Sequence, residues 1–185
     1  MENTKSPKIK QVIHCGNRPR GITFTPEGTV LVAGFYSRKL HFLKENRGKY
    51  QKSSKLVRFA SKAYSGNMRD VLVTKNGKYA YVSNMGKNMV HKFDLEKKTF
   101  TKSTLVGKFP SSIRFLNNKE NALLVSCRES NFIYFLDTKR MKIIGHSEKT
   151  SKKPTGLAPV PRGFLCTAFR SNTLEYHKIS TNILV

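Results

Sequence analysis

The chain repeats itself. Arg20-Gly21-Ile22-Thr23-Phe24-Thr25-Pro26-Glu27-Gly28-Thr29-Val30-Leu31-Val32-Ala33 returns as Arg69-Asp70-Val71-Leu72-Val73-Thr74-Lys75-Asn76-Gly77-Lys78-Tyr79-Ala80-Tyr81-Val82-Ser83. The pattern comes back from Ser111 to Ser126 and, more faintly, from Thr155 to Ala168. A unit recurring at roughly 45 residues cannot bury its apolar side alone and must stack on its neighbours. The period therefore constrains architecture more than any single residue does, and it assigns most residues to the framework.

Within each unit the apolar residues alternate or run in short blocks, punctuated by Gly or Asn, which is the pattern of strands rather than helices. In the second unit Val71–Thr74 reads as one strand and Tyr79–Ser83 as the next. Lys75-Asn76-Gly77-Lys78 joins them as a hairpin turn, where Asn-Gly supplies positive φ. Met89–Asp94 and Thr99–Leu105 complete a set of four. Four strands in roughly 45 residues, repeated, make β-propeller blades. The predicted fold is all-β, a single domain over residues 1–185 with about four antiparallel blades. The units run at about 19–67, 68–109, 110–153 and 154–185, with 8–15 as an outer strand and a loop near Ala60–Asn67 lengthening the first. The fourth unit has lost most of its own outer strand.

An N-terminal strand that completes the last blade is one way a propeller seals its ring. One expectation is thus a closed ring with Ile9–His14 as the clasp on the fourth blade. An open partial propeller is the second, since seven blades at this period need about 300 residues. Self-association of two chains into one ring is the third.

Lys and Arg total 35 against 11 acids, a net charge of +24. That balance favours acidic macromolecules, nucleic acid among them, unless the charge is only a compositional habit spread over a solvated surface. The hydrophobic share of 38% supports a folded chain, and 12 Phe and 7 Tyr supply core volume in the absence of Trp. No apolar run reaches the roughly 20 residues of a membrane helix. Met1–Lys10 is polar and Lys-rich and reads as no signal peptide, which implies the cytoplasm. A true N-terminus further upstream would instead allow the periplasm or cell surface. Cys15, Cys127 and Cys166 are odd in number and form no Cys-x-x-Cys pair, so free thiols in strands are expected rather than a disulfide or zinc site.

Counting eight residues on from Ala33, Ser83, Ser126 and Ala168 gives His41, His91, Tyr134 and Tyr176, which reads as a recurrent packing position. Tyr79-Ala80-Tyr81-Val82-Ser83-Asn84, followed by Met89-Val90-His91-Lys92-Phe93-Asp94, resembles the YVTN-type β-propeller repeat. Phe132-Ile133-Tyr134-Phe135-Leu136-Asp137 and the opening Lys10-Gln11-Val12-Ile13-His14-Cys15-Gly16-Asn17-Arg18-Pro19 fit it as well. The resemblance spans residues 8–179 and is to lactonase-like and surface-layer-like seven-bladed propellers. The fourth unit departs from it at Pro159 and Pro161, and Ile179 stands in place of the final Asp. The resemblance implies cell-surface display and adhesion in some members, and lactonase activity or a metal near the axis in others.

In a blade, the loop into the first strand and the loop between strands two and three share one face. The residues there form a basic, partly aromatic set: Arg18, Arg20, Tyr36, Arg38, Arg69, Lys87, Arg128, Lys153 and Arg170. Guanidinium forks suit phosphate or sulfate, and aromatic rings stack on bases or sugars. A metal-dependent enzyme needs acids and His converging on the axis. Asp70 is the one acid at the first-strand position, matched by Gly21, Ser112 and Gly156. No Gly-x-Ser-x-Gly elbow, His-Glu-x-x-His helix or phosphate-binding Gly loop is present. The expected role is a non-catalytic binding or scaffold module without cofactor. A truncated propeller enzyme and a protein–protein platform are the alternatives.

Overall fold

The computed structural model describes residues 8–37, 39–53 and 66–179. Four antiparallel sheets account for the strands. Blade 1 holds β1 (Pro19–Phe24), β2 (Val30–Gly34), β3 (Lys39–Asn46) and β4 (Lys49–Lys52). Blade 2 holds β5 (Met68–Val73), β6 (Tyr79–Asn84), β7 (Met89–Asp94) and β8 (Thr99–Leu105). Blade 3 holds β9 (Pro110–Phe115), β10 (Ala122–Cys127), β11 (Phe132–Asp137) and β12 (Lys142–His146). Among the described residues blade 4 has three strands, β13 (Pro154–Val160), β14 (Gly163–Ala168) and β15 (Thr173–Lys178). Strands pair in chain order within each blade, and β1, β5, β9 and β13 line the inner edge. The result is an open arc rather than a ring. Most of the loop expected near Ala60–Asn67 lies outside the described residues.

Alternation explains the stacking. Side chains of one strand point to opposite faces, and the middle strands are apolar on both. Leu31, Leu40 and Phe42 point forward from blade 1 onto Met68, Val71, Ala80 and Val82 of blade 2. Tyr81 and Val90 carry blade 2 onto Ile113, Leu123 and Val125. Leu124, Ile133 and Phe135 carry blade 3 onto Leu157, Phe164 and Cys166. Each such side chain contributes about 1.5–3 kcal/mol on full burial. The Asn-Gly turn forms as expected, with Gly77 at φ 67°.

The clasp does not form. Residues 8–15 lie outside the strands, and their described contacts are with blade 1. The Gln11 side-chain amide acts as a single strand peptide against β4: Nε2 donates to the Tyr50 carbonyl (2.7 Å), and Oε1 accepts from the Tyr50 N–H (2.9 Å). Ile13 and Cys15 close over Val30, Val32 and Leu43. The segment joins β1 through a short turn, so it covers the nearest open apolar face and the nearest sheet edge.

The fourth unit is also out of step by one residue with the simple count. In the ladders, Ala33, Ser83 and Ser126 oppose Leu40, Val90 and Ile133, and their partner in blade 4 is Thr167, opposite Leu174. The position of His41, His91 and Tyr134 is therefore held by Glu175, and Lys178 rather than Ile179 stands where Asp94 and Asp137 do. A slip of one residue turns a side chain to the other face, so Tyr176 points forward with Leu174. His41 and His91 are buried. Asn84 Nδ2 donates to His91 Nε2 (3.0 Å), leaving Nδ1–H to donate to Ser103 Oγ (2.7 Å). Burial pushes the His91 pKa down to about 4. The thiols of Cys127 and Cys166, inside strands, are free and are pushed up to about 12 and about 11 by burial. Cys15 is free too, but outside any strand.

Candidate anion-binding face

Every inner strand carries one extra residue at the same place. Arg20 and Gly21 together oppose Ala33, and Arg69 stands outside the pairing of Asp70 with Ser83. Ser111 and Ser112 oppose Ser126, and Thr155 stands outside the pairing of Gly156 with Thr167. A β-bulge of this kind re-aims side chains out of the ladder. Here the bulges of all four blades open onto one axial cleft of about 290 Å³.

Backbone hydrogen bonds place the two sets of loops on one face, as the sequence implied. Phe35 and Tyr36 donate to the carbonyls of Arg18 and Asn17, and Met85 donates to Asn67. Arg128 and Glu129 donate to Phe109 and Lys108, and Phe169 and Arg170 to Lys153 and Lys152.

The basic side chains on this face divide into groups. Arg18 lies over the Tyr36 ring (4.8 Å) and donates to its hydroxyl (3.4 Å). Lys153 is paired with Glu129 at 3.1 Å. Lys87 and Arg170 are exposed, and Arg38 lies outside the described residues. Arg20 and Arg69 line the cleft. Arg20 rests over Phe35 (5.5 Å) and Arg128 over Phe169 (5.8 Å). Arg69 Nε donates to Ser111 Oγ (3.4 Å). Burial, and then the neighbouring charges of Arg20 and Arg128, hold the Arg69 guanidinium below its usual pKa; Asp70 only partly offsets them. Arg128 Nε is buried with no partner among the described residues. The bulge hydroxyls of Ser111, Ser112 and Thr155 complete the cleft, and the choice of basic residues alone missed them. The signal was present, because Ser111 and Thr155 open their repeats at the place of Arg20 and Arg69.

Asp70 also lines the cleft, but its carboxylate is engaged by blade 3. Its Oδ2 accepts from Arg114 Nη1 (2.8 Å), the Ile113 N–H (3.1 Å) and Ser112 Oγ (3.3 Å), all in blade 3. Its Oδ1 accepts from the Val71 N–H (3.0 Å). The carboxylate is a staple between blades with its lone pairs engaged. Among the described residues no three His, Cys, Asp or Glu side chains converge. These described residues offer no ligand set for a metal at the axis. A second cleft, about 530 Å³, lies on the opposite face between residues 116–119 and 159–163 and is lined by no acid or His.

Blade-to-blade hydroxyls finish the framework around the cleft. Ser83 Oγ accepts from the Asp70 N–H and donates to the Ser111 carbonyl, both at 2.9 Å. Ser126 Oγ accepts from the Ser112 N–H (2.9 Å) and donates to the Thr155 carbonyl (3.2 Å). Ala33 has no hydroxyl, and blade 1 meets blade 2 by close backbone approach: a Cβ on Gly21 would stand 2.7 Å from the Asp70 Cα.

Comparison with known proteins matches this construction. A candidate 6-phosphogluconolactonase from Bacteroides uniformis superposes with a TM-score of 0.76 at 15% identity, covering 90% of this chain and 52% of that one. Kuenenia stuttgartiensis hydrazine synthase gives 0.74 at 20% identity, covering 94% and 49%. A chain of a mitotic checkpoint complex gives 0.67 at 15%, covering 95% and 56%. The chain thus spans about half the length of each of these structures. No curated protein matches it in sequence. The sequence profile described as Lactonase, 7-bladed beta-propeller matches residues 12–160. With its repeated bladed sheets, the chain belongs to that lactonase family of seven-bladed β-propellers.

Proposed function

We propose that this chain is a non-catalytic binding arc that holds an anionic group of an acidic macromolecule at the Arg20–Arg69–Arg128 corner. The observation that carries the reading is a cluster of guanidinium groups beside a cleft whose nearest carboxylate, Asp70, is turned into the neighbouring blade. Like charges gathered beside a carboxylate already paired with Arg114 favour an incoming anion, and guanidinium offers it paired donors. The Ser111 hydroxyl, which accepts from Arg69 Nε, adds a neutral donor. The flanking aromatics Tyr36, Phe35 and Phe169 supply flat surfaces for rings.

The test is binding of labelled heparin and single-stranded DNA across a salt series. Tight binding that weakens steeply with salt is expected, its slope counting the charges engaged. Arg20→Glu with Arg69→Glu should remove most of that binding. Lys87→Glu with Arg170→Glu, an equal change of charge at the exposed rim, should reduce it far less. Equal losses in the two pairs would make the charge a bulk property and overturn the site.

Family membership favours a second reading, a lactonase-like enzyme whose axis further blades would complete. Stoichiometric calcium or zinc in the purified protein, with lactone hydrolysis, would put that reading first. Partner binding that survives high salt would instead favour a protein–protein platform.

A further inference from the structure

The two ends of the arc carry the same joint that holds its blades together. The positions that blades 1 and 3 bury against a following blade are Leu40 and Ile133, each 0% exposed, with Phe42 and Phe135 at 6% and 3%. Blade 4 keeps apolar residues there, Leu174 and Tyr176, at 67% and 56% exposed. The polar parts of the joint recur as well. Asn88 Oδ1 accepts from the Phe109 N–H across one seam, and Asn131 Oδ1 from the Lys153 N–H across the next, both at 2.9 Å. Asn172 holds that place in blade 4, with the same left-handed backbone as Asn88 and Asn131. Thr167 holds the place of Ser83 and Ser126. Its Oγ1 accepts from the Gly156 N–H (3.0 Å) and, among the described residues, donates to no carbonyl.

The opposite end offers the complement. Ile22 stands where Val71, Ile113 and Leu157 are 2%, 0% and 8% exposed, yet it is 63% exposed, with Phe24 beside it at 57%. The Arg18 N–H and Arg20 carbonyl occupy the places of the Phe109 N–H and Ser111 carbonyl. The outer part of this face, Val30, Val32 and Leu43, lies under Ile13 and Cys15.

We infer that the forward face of blade 4 docks head-to-tail on the rear face of blade 1 of a second copy. The occupant follows from continuity: the open surface at one end continues an interface the chain already uses at each of its seams, and the matching open surface is at its own other end. Ile22 and Phe24 receive Leu174 and Tyr176, and the 8–15 segment must lift for the outer part to join. Such a contact is heterologous, so it closes a ring if both ends meet and extends if they do not. Its apolar contacts stand apart from the anion corner, which the joint meets only through the Arg20 backbone, and salt tells the two apart. Two copies at +24 repel one another, and salt screens that repulsion while strengthening apolar burial. Self-docking tightens with salt, whereas anion binding weakens.

The experiment is molar mass by light scattering and sedimentation on the whole chain, over a range of protein and salt concentrations. A concentration-dependent rise to at least twice the monomer mass, favoured by salt, is expected. Leu174→Asp and Ile22→Asp should each remain monomeric. Both sites are exposed, and a cooperative melt confirms folding; Tyr176→Ser and Phe24→Ser serve as milder replacements. Mixing the two Asp variants should restore a pair, because each retains one intact face. A wild type that stays monomeric, variants that still associate, or a mixture that fails to pair would overturn the inference. In the first case the faces are left to blades from another chain.

Discussion

The seam between blades 2 and 3 and the free face of blade 4 are built from the same repeat positions, and they differ in nearly everything those positions do. In the seam, Tyr81 Oη and Lys92 Nζ both donate to the Thr138 carbonyl, at 3.1 and 2.9 Å, while Asp70 engages three groups across the gap. Burial lifts the Tyr81 phenol to about 12 and lowers the Lys92 ammonium. On blade 4 their places are held by Leu165, half-buried, by Tyr176, exposed to solvent, and by Gly156, which has no side chain to engage. The repeat therefore determines what a position can join, and the presence of a neighbour determines what it contributes to stability.

The sharpest break in that comparison comes from one residue type at one repeat position. Leu40→Ala should destabilise the fold by about 2–5 kcal/mol in chemical denaturation, whereas Leu174→Ala should change it by no more than about 0.5 kcal/mol in the monomer. Similar losses at the two sites would mean that blade 4 is covered. Acid probes the buried interior of blade 2 through His91, which folds neutral with a pKa of about 4 against roughly 6.5 when unfolded. Between those values the unfolded chain binds the extra proton. The stabilisation is therefore full above about pH 6.5 and is lost as pH falls toward 4, by up to about 3 kcal/mol. Denaturation at pH 7.5 and 5.0 measures this, and His91→Gln should flatten the difference.

Smaller effects sharpen the contrast. Asp70→Ala leaves the Arg114 guanidinium and the Ile113 N–H without their acceptor and should cost about 2 kcal/mol; a neutral result would show that water replaces the staple. Ser126→Ala removes the acceptor of the Ser112 N–H within blade 3 and the donor to the Thr155 carbonyl of blade 4, and should cost about 1 kcal/mol. Thr167→Ala, at the free face, should cost less. Reversal of that order would mean the blade 4 hydroxyl has a partner.

Much of the fold was legible because period and alternation are local signals. The strands of the second unit, the Asn-Gly turn and the short fourth blade follow from residues near one another in the chain. The slip at Thr167 was not legible: the fourth unit's prolines weaken its resemblance to the others, and only the ladder shows which residue opposes the bulge. The clasp failed for a different reason. Residues 8–15 had the apolar content to cover a blade, but content does not say which of two open faces lies nearer. The loop face was readable from propeller geometry, while the division of its charges was not. Nothing in the sequence distinguishes Lys153, matched by Glu129, from Arg69, whose adjacent acid turns to Arg114.

The bulges have a consequence for how such a protein can change. Arg20, Arg69, Ser111 and Thr155 lie outside the strand pairing, so replacing their side chains leaves every register intact. The framework behaves as a socket with a separately exchangeable contact on each blade. An engineer, or a lineage, can rewrite the chemistry of the axial cleft one blade at a time, and the present arginines, serine and threonine are one setting of it.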